Sequence, residues 1–81
     1  MNRYNELKVK ALTIFAGGEW LEPNQVAQQL NFFPQRSAWT YFKRLWSFGL
    51  LERRYLGKGT LAYRISDAGL ARLRWLRSHR G

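Results

Sequence analysis

Proline and glycine decide what this chain can fold into. Gly17-Gly18, Pro23, Pro34, Gly49 and Gly57-Lys58-Gly59 interrupt the sequence at close intervals. Proline lacks the N–H that a helix interior needs, and glycine reaches backbone conformations closed to other residues. Each of these positions marks an end, and the pieces between them must be short.

The first piece, "YNELKVKALTIF", carries Tyr4, Leu7, Ala11 and Ile14 at helical spacing, with Leu12 and Phe15 widening the apolar stripe. Asn2 or Asn5 can cap this helix, and Gly17-Gly18 ends it. "EWL" is long enough only for a strand stub. Pro23 suits the first turn of a second helix, where its missing N–H has no helical partner. "NQVAQQL" then puts Val26, Ala27 and Leu30 on one side, and Asn31 tolerates the left-handed conformation that often closes a helix. "NFFP" reads as a turn, with Pro34 starting a third helix over about 35–48.

At about 100° per residue, Ala38, Phe42 and Leu45 of this third helix fall together and face inward. Arg36, Thr40, Lys43 and Ser47 fall on the opposite side, flanked by Ser37 and Arg44. Trp39 and Trp46 line one border and read as packing residues; Tyr41 and Phe48 line the other. The outer face has cations and hydroxyls but no carboxylate. Exposed helix faces normally mix signs, because opposite charges four residues apart pair favourably.

Past Gly49, Leu51, Arg53 and Tyr55 alternate with Glu52, Arg54 and Leu56, and Leu61, Tyr63 and Ile65 alternate with Ala62 and Arg64. Two such runs around Gly-Lys-Gly predict a β-hairpin over about 51–65. Ser66 caps a final helix, with Asp67 in its first turn where a negative charge suits the dipole. Leu70, Leu73 and Leu76 form its inward stripe, Ala71 and Trp75 a second apolar strip, and Arg72, Arg74, Arg77 and Arg80 the remainder. The expected architecture is one domain over residues 1–81, mainly α with a small β-hairpin (α+β). Its order is helix, strand stub, helix, helix, two hairpin strands, helix.

A chain of 81 residues buries only about 60–65% of the surface its unfolded form exposes, so its core must be dense. The sequence supplies 46% hydrophobic and 16% aromatic residues, and no cysteine, so neither a disulfide nor a thiolate metal site adds stability. No stretch at the start has a signal-peptide core, and no uncharged apolar run reaches spanning length. These features predict a soluble cytoplasmic protein with no membrane partner.

Charge is distributed unevenly. The formal net charge is +9. Up to Glu22, Arg3, Lys8 and Lys10 are balanced by Glu6, Glu19 and Glu22; from Pro23 onward, eleven Lys or Arg face only Glu52 and Asp67. Such an excess on a small fold repels itself unless an anionic partner is present. Nucleic acid is the commonest such partner and an acidic membrane surface the second.

Three pieces of the sequence carry a family resemblance. "VAQQL" looks like the first helix of a helix-turn-helix, where a small residue lets two helices cross closely. "SAWTYFKRLWSFGLL" resembles a recognition helix and the segment leading into a wing, and "YRISDAGLARL" resembles the wing exit and last helix. Together they cover nearly the whole chain, which is similar to winged helix-turn-helix domains, closest to small bacterial and archaeal regulators of the MarR, PadR and ArsR type. Trp39 and Tyr41 depart from those families, which usually carry smaller or more polar residues there.

The resemblance implies double-stranded DNA binding by a small transcriptional regulator, with the third helix in the major groove and the wing on flanking backbone or minor groove. Arg36, Ser37, Thr40, Lys43, Arg44 and Ser47 would reach phosphates and base edges. Arg53, Arg54 and Arg64 would add phosphate contacts from the wing. Lys58 has two readings: a side chain extended into a groove, or an ordinary hairpin tip. Ala71 and Trp75 also have two: packing on the first helix, or the seam of a homodimer. A protein-contact module built on Trp39, Trp46 and Trp75, RNA binding, and a basic peripheral membrane protein are the competing functions. An enzyme is not expected. His79 is the sole histidine and sits near the chain end, the glycines make no strand-to-helix phosphate loop, and neither a metal cluster nor a cofactor site is legible.

Overall fold

A computed structural model describes residues 3–79. Asn2 and Arg80, named above, lie outside the described residues, as does the side chain of Tyr4. The chain is α+β, with four helices and one two-stranded antiparallel hairpin among the described residues.

Helix α1 spans Arg3–Phe15. Asn5 lies inside its first turn, so the cap is not at Asn5. Ala11, Leu12 and Phe15 are fully buried, while Leu7 and Ile14 are only partly buried. The buried stripe therefore follows the wider side of the apolar arc. Helix α2, Pro23–Leu30, starts with proline at its first position, and the Glu22 N–H donates to Gln25 Oε1 at 3.2 Å. It closes on Asn31, at φ 54° and ψ 41°, whose N–H donates to Gln28 O at 3.1 Å while the Phe32 N–H donates to Ala27 O at 2.9 Å. This pair of bonds satisfies carbonyls that a helix end leaves open.

Helix α3, Gln35–Ser47, begins one residue after Pro34. Gly49, at φ 80°, ends it in the same way: its N–H donates to Trp46 O at 2.9 Å, and the Leu50 N–H donates to Leu45 O at 3.0 Å. Ala38, Phe42 and Leu45 are buried as the helical angle requires. Tyr41 is buried too, because Phe32 from the turn before α3 folds over it with ring centroids 5.8 Å apart.

Strands β1, Leu51–Tyr55, and β2, Leu61–Ile65, pair antiparallel with Leu51 opposite Ile65 and Tyr55 opposite Leu61. Gly57, Lys58 and Gly59 turn the chain with φ of 95°, 52° and 76°, and the Leu56 N–H closes the loop on Thr60 O at 2.8 Å. The expected strand stub is not a third strand. "EWL" contributes only Leu21, which exchanges two 2.9 Å hydrogen bonds with Tyr63. Pro23 has no N–H to continue the ladder and already belongs to α2, so pairing stops after one residue.

Helix α4, Asp67–Ser78, is capped by Ser66, whose Oγ accepts from the Gly69 N–H at 2.9 Å and donates to Gly49 O. Gly69 is pressed against the start of the hairpin. A Cβ placed there would sit 2.0 Å from Leu50 O and 2.8 Å from Ile65 Cγ1. Leu73 and Leu76 are buried and Leu70 partly so, and Arg77 Nη2 donates to Thr13 Oγ1 of α1 at 3.0 Å. Ala71 and Trp75, by contrast, are exposed.

At the centre, Phe15 meets Phe42 edge-to-face at 5.4 Å and Tyr63 at 6.4 Å, joining α1, α3 and β2. Such pairs add roughly 0.5–1.5 kcal/mol beyond the area they bury. Among the described residues no helix is long and apolar enough to cross a membrane.

Candidate nucleic-acid interface

Helix α3 is held by its buried stripe of Ala38, Tyr41, Phe42 and Leu45, which fixes which side meets water. Arg36, Ser37, Thr40, Lys43, Arg44 and Ser47 are all exposed on the outer side. Among the described residues no carboxylate lies within ion-pair distance of Arg36, Lys43 or Arg44. The hydroxyls are less free than the sequence implies. Thr40 Oγ1 donates to Arg36 O at 3.1 Å, and Ser47 Oγ donates to Arg44 O at 2.7 Å. Their protons are used within the helix, so towards a partner each oxygen acts as an acceptor.

The hairpin has two faces, since successive side chains alternate. Arg53 belongs to the face that carries Leu51, Tyr55 and Tyr63, and its guanidinium lies 3.5 Å from the ring centre of Trp46. This stack ties the hairpin to α3. Arg54 and Arg64 belong to the other face, where both lie over Trp20, at 4.7 Å and 4.5 Å. Arg64 also makes a two-pronged pair with its cross-strand neighbour Glu52, at 3.1 Å and 3.4 Å. Lys58 stands exposed at the hairpin tip. Thus the structure gathers Arg36, Ser37, Thr40, Lys43, Arg44 and Ser47 on one helix face, brings Arg53 beside that helix, and turns Arg54 and Arg64 to the opposite side of the hairpin. The charge of Arg64 is largely answered by Glu52.

Between α3, the start of α2 and the hairpin lies a cleft of about 590 Å3, lined in part by Asn24, Trp39, Lys43, Arg53, Tyr55 and Tyr63. Trp39 is not a packing residue in the sense expected: it is 49% exposed, and its Nε1–H donates to Asn24 Oδ1 at 2.6 Å. Trp46 is the better buried of the two, packed against the core. The sequence does hold a signal for this cleft. Trp39 and Lys43 are four apart on one helix, and Arg53 and Tyr55 two apart on one strand, so each pair shares a face.

His79 stacks on Trp75 with centroids 4.2 Å apart, and its Nδ1 lies 2.8 Å from Trp75 O. Among the described residues no three His, Cys, Asp or Glu side chains are grouped to hold a metal ion. No protein-family profile matches this chain, and no curated protein does.

Proposed function

We propose that this chain is a winged helix-turn-helix protein that binds double-stranded DNA, with α3 in the major groove and the hairpin as a wing on the flanking backbone or minor groove, and that it works as a small transcriptional regulator. The observation that carries this reading is the exposed, carboxylate-free face of α3, on which Arg36, Thr40 and Lys43 meet water. Long cations there can reach phosphates and the acceptors of guanine, while Thr40 and Ser47 accept from base amino groups. Arg53, held by Trp46, suits a phosphate beside the groove. Lys58 extends the wing. Arg54 and Arg64 are the weakest members of the set, because they point to the Trp20 side.

Charge does not choose the polymer. Competition among duplex DNA, duplex RNA and single strands at one fixed salt concentration tests the reading; duplex DNA should displace the probe at the lowest concentration, and preference for duplex RNA would replace DNA with RNA.

One observation favours a second copy as a further partner. Ala71 is exposed and Trp75 is 50% exposed on the same strip of α4, away from the core. A homodimer through them would hold two copies of α3 about one DNA turn, roughly 34 Å, apart. Sedimentation of the wild type and Trp75→Glu distinguishes this from a monomer.

A further inference from the structure

The cleft between α3 and the hairpin shares Lys43 and Arg53 with the proposed duplex-binding surface, but its aromatic walls, Trp39 and Tyr55, lie outside that set. The Trp39 N–H is committed to Asn24, so the indole offers ring faces and not a donor. The same bond joins α2 to α3 and sets the plane of the ring. On the hairpin wall Tyr55 is 68% exposed, on the strand face it shares with Arg53. Lys43 and Arg53 bring two positive charges to the same opening, and the stack on Trp46 holds Arg53 in place. Glu22, at the start of α2, is the carboxylate of the lining.

Two exposed aromatic rings with two cations beside them fit one chemistry, a planar base carrying a phosphate. A purely apolar ligand would leave Lys43 and Arg53 unanswered, and an inorganic anion would leave both rings in water. A paired base inside a duplex covers its faces with its neighbours and shows only its edges. A base stacked here is therefore unpaired. The volume of about 590 Å3 falls within the roughly 300–1,000 Å3 of small-molecule sites. The Glu22 carboxylate disfavours a second phosphate at the α2 end.

We infer that the cleft binds an unpaired nucleotide of a DNA strand, its base on Trp39 and Tyr55 and its phosphate on Lys43 and Arg53. This deepens the reading of α3 as a duplex-binding helix and rests on it: the preferred target is a duplex interrupted or ended by unpaired nucleotides.

The test is fluorescence anisotropy with the full chain and a labelled blunt duplex, the same duplex with a short single-stranded overhang, and the overhang strand alone. Stacking of one base is worth enough to bind the overhang duplex about tenfold more tightly than the blunt one. Trp39→Ala and Tyr55→Ala should each remove most of that gain and leave blunt-duplex affinity unchanged. Tyr55 is exposed enough that its truncation does not threaten the fold. Equal affinity for the two duplexes, or a gain that survives both variants, overturns the cleft while sparing the duplex reading. Tight binding of the single strand without blunt-duplex binding does the reverse. No binding of any DNA sinks both. A free mononucleotide that competes as well as the strand would make the cleft an effector site and overturn the strand proposal.

Discussion

The guanidinium carbon of Arg53 lies over the indole of Trp46, 3.5 Å from the ring centre, and so couples the hairpin to α3. The contact adds to the core that already joins the two elements, in which Leu45 and Leu51 are buried. Both residues are partly buried, and a cation–π contact is worth roughly 0.5–2 kcal/mol between the exposed and desolvated limits. Arg53→Ala should therefore lower the melting temperature by about 4–8 °C per kcal/mol lost in a domain of this size, read by circular dichroism. The same variant should reduce the slope of log affinity against log salt by about one, if Arg53 neutralises one phosphate.

Gly69 gives a prediction with an unusual sign. Helix propensity alone says that Gly→Ala inside a helix stabilises by about 1 kcal/mol. Here a Cβ would stand 2.0 Å from Leu50 O, a backbone atom that already accepts from the Ser66 N–H at 3.1 Å. Gly69→Ala should destabilise by about 3 kcal/mol, because α4 must back away from the hairpin to admit one methyl group. Urea unfolding measures it, and a stabilised variant would contradict the packing described.

Ser66 is engaged in both directions, accepting from Gly69 N–H and donating to Gly49 O. Ser66→Ala loses the cap of α4 and its link to the end of α3 together. A loss of about 1–2 kcal/mol is expected in the same assay, at the upper end of cap substitutions. A change within a few tenths of a kcal/mol would mean that neither the cap nor the link to Gly49 contributes.

Lys58 occupies the left-handed region, at φ 52°, between two glycines that are also left-handed. A non-glycine side chain costs about 1–2 kcal/mol there, less for asparagine, which tolerates the region. Lys58→Asn should thus hold or raise the melting temperature. If the lysine serves in a groove, the same substitution weakens duplex binding severalfold and lowers the salt slope by about one. Unchanged affinity would leave it an ordinary hairpin tip.

The breaks in the sequence made most of the fold legible. Pro23 and Asn31 bound α2, Pro34 and Gly49 bound α3, and Ser66 caps α4, since each residue type meets a backbone need that is local. Distant partners were not legible. Nothing near Tyr41 in sequence says that Phe32 will cover it, and nothing near Trp39 says that Asn24, fifteen residues back, will bind its N–H. The strand stub shrank to the Leu21 bridge for a local reason that was present in Pro23. For the candidate interface, helical angles placed Arg36, Thr40, Lys43 and their neighbours on the exposed face of α3. On the hairpin, alternation separates Arg53 from Arg54, but it does not reveal that Arg54 and Arg64 lie over Trp20 while Arg53 lies over Trp46.

Charge reversal at the middle of α3 tests the central claim most directly. Wild-type protein should bind a duplex with a log–log salt slope near −5 if about six phosphates are neutralised. Lys43→Glu, at an exposed position, should abolish that binding with its circular dichroism spectrum and melting temperature unchanged. An unaltered dissociation constant for the folded variant would contradict the assignment of this face to DNA.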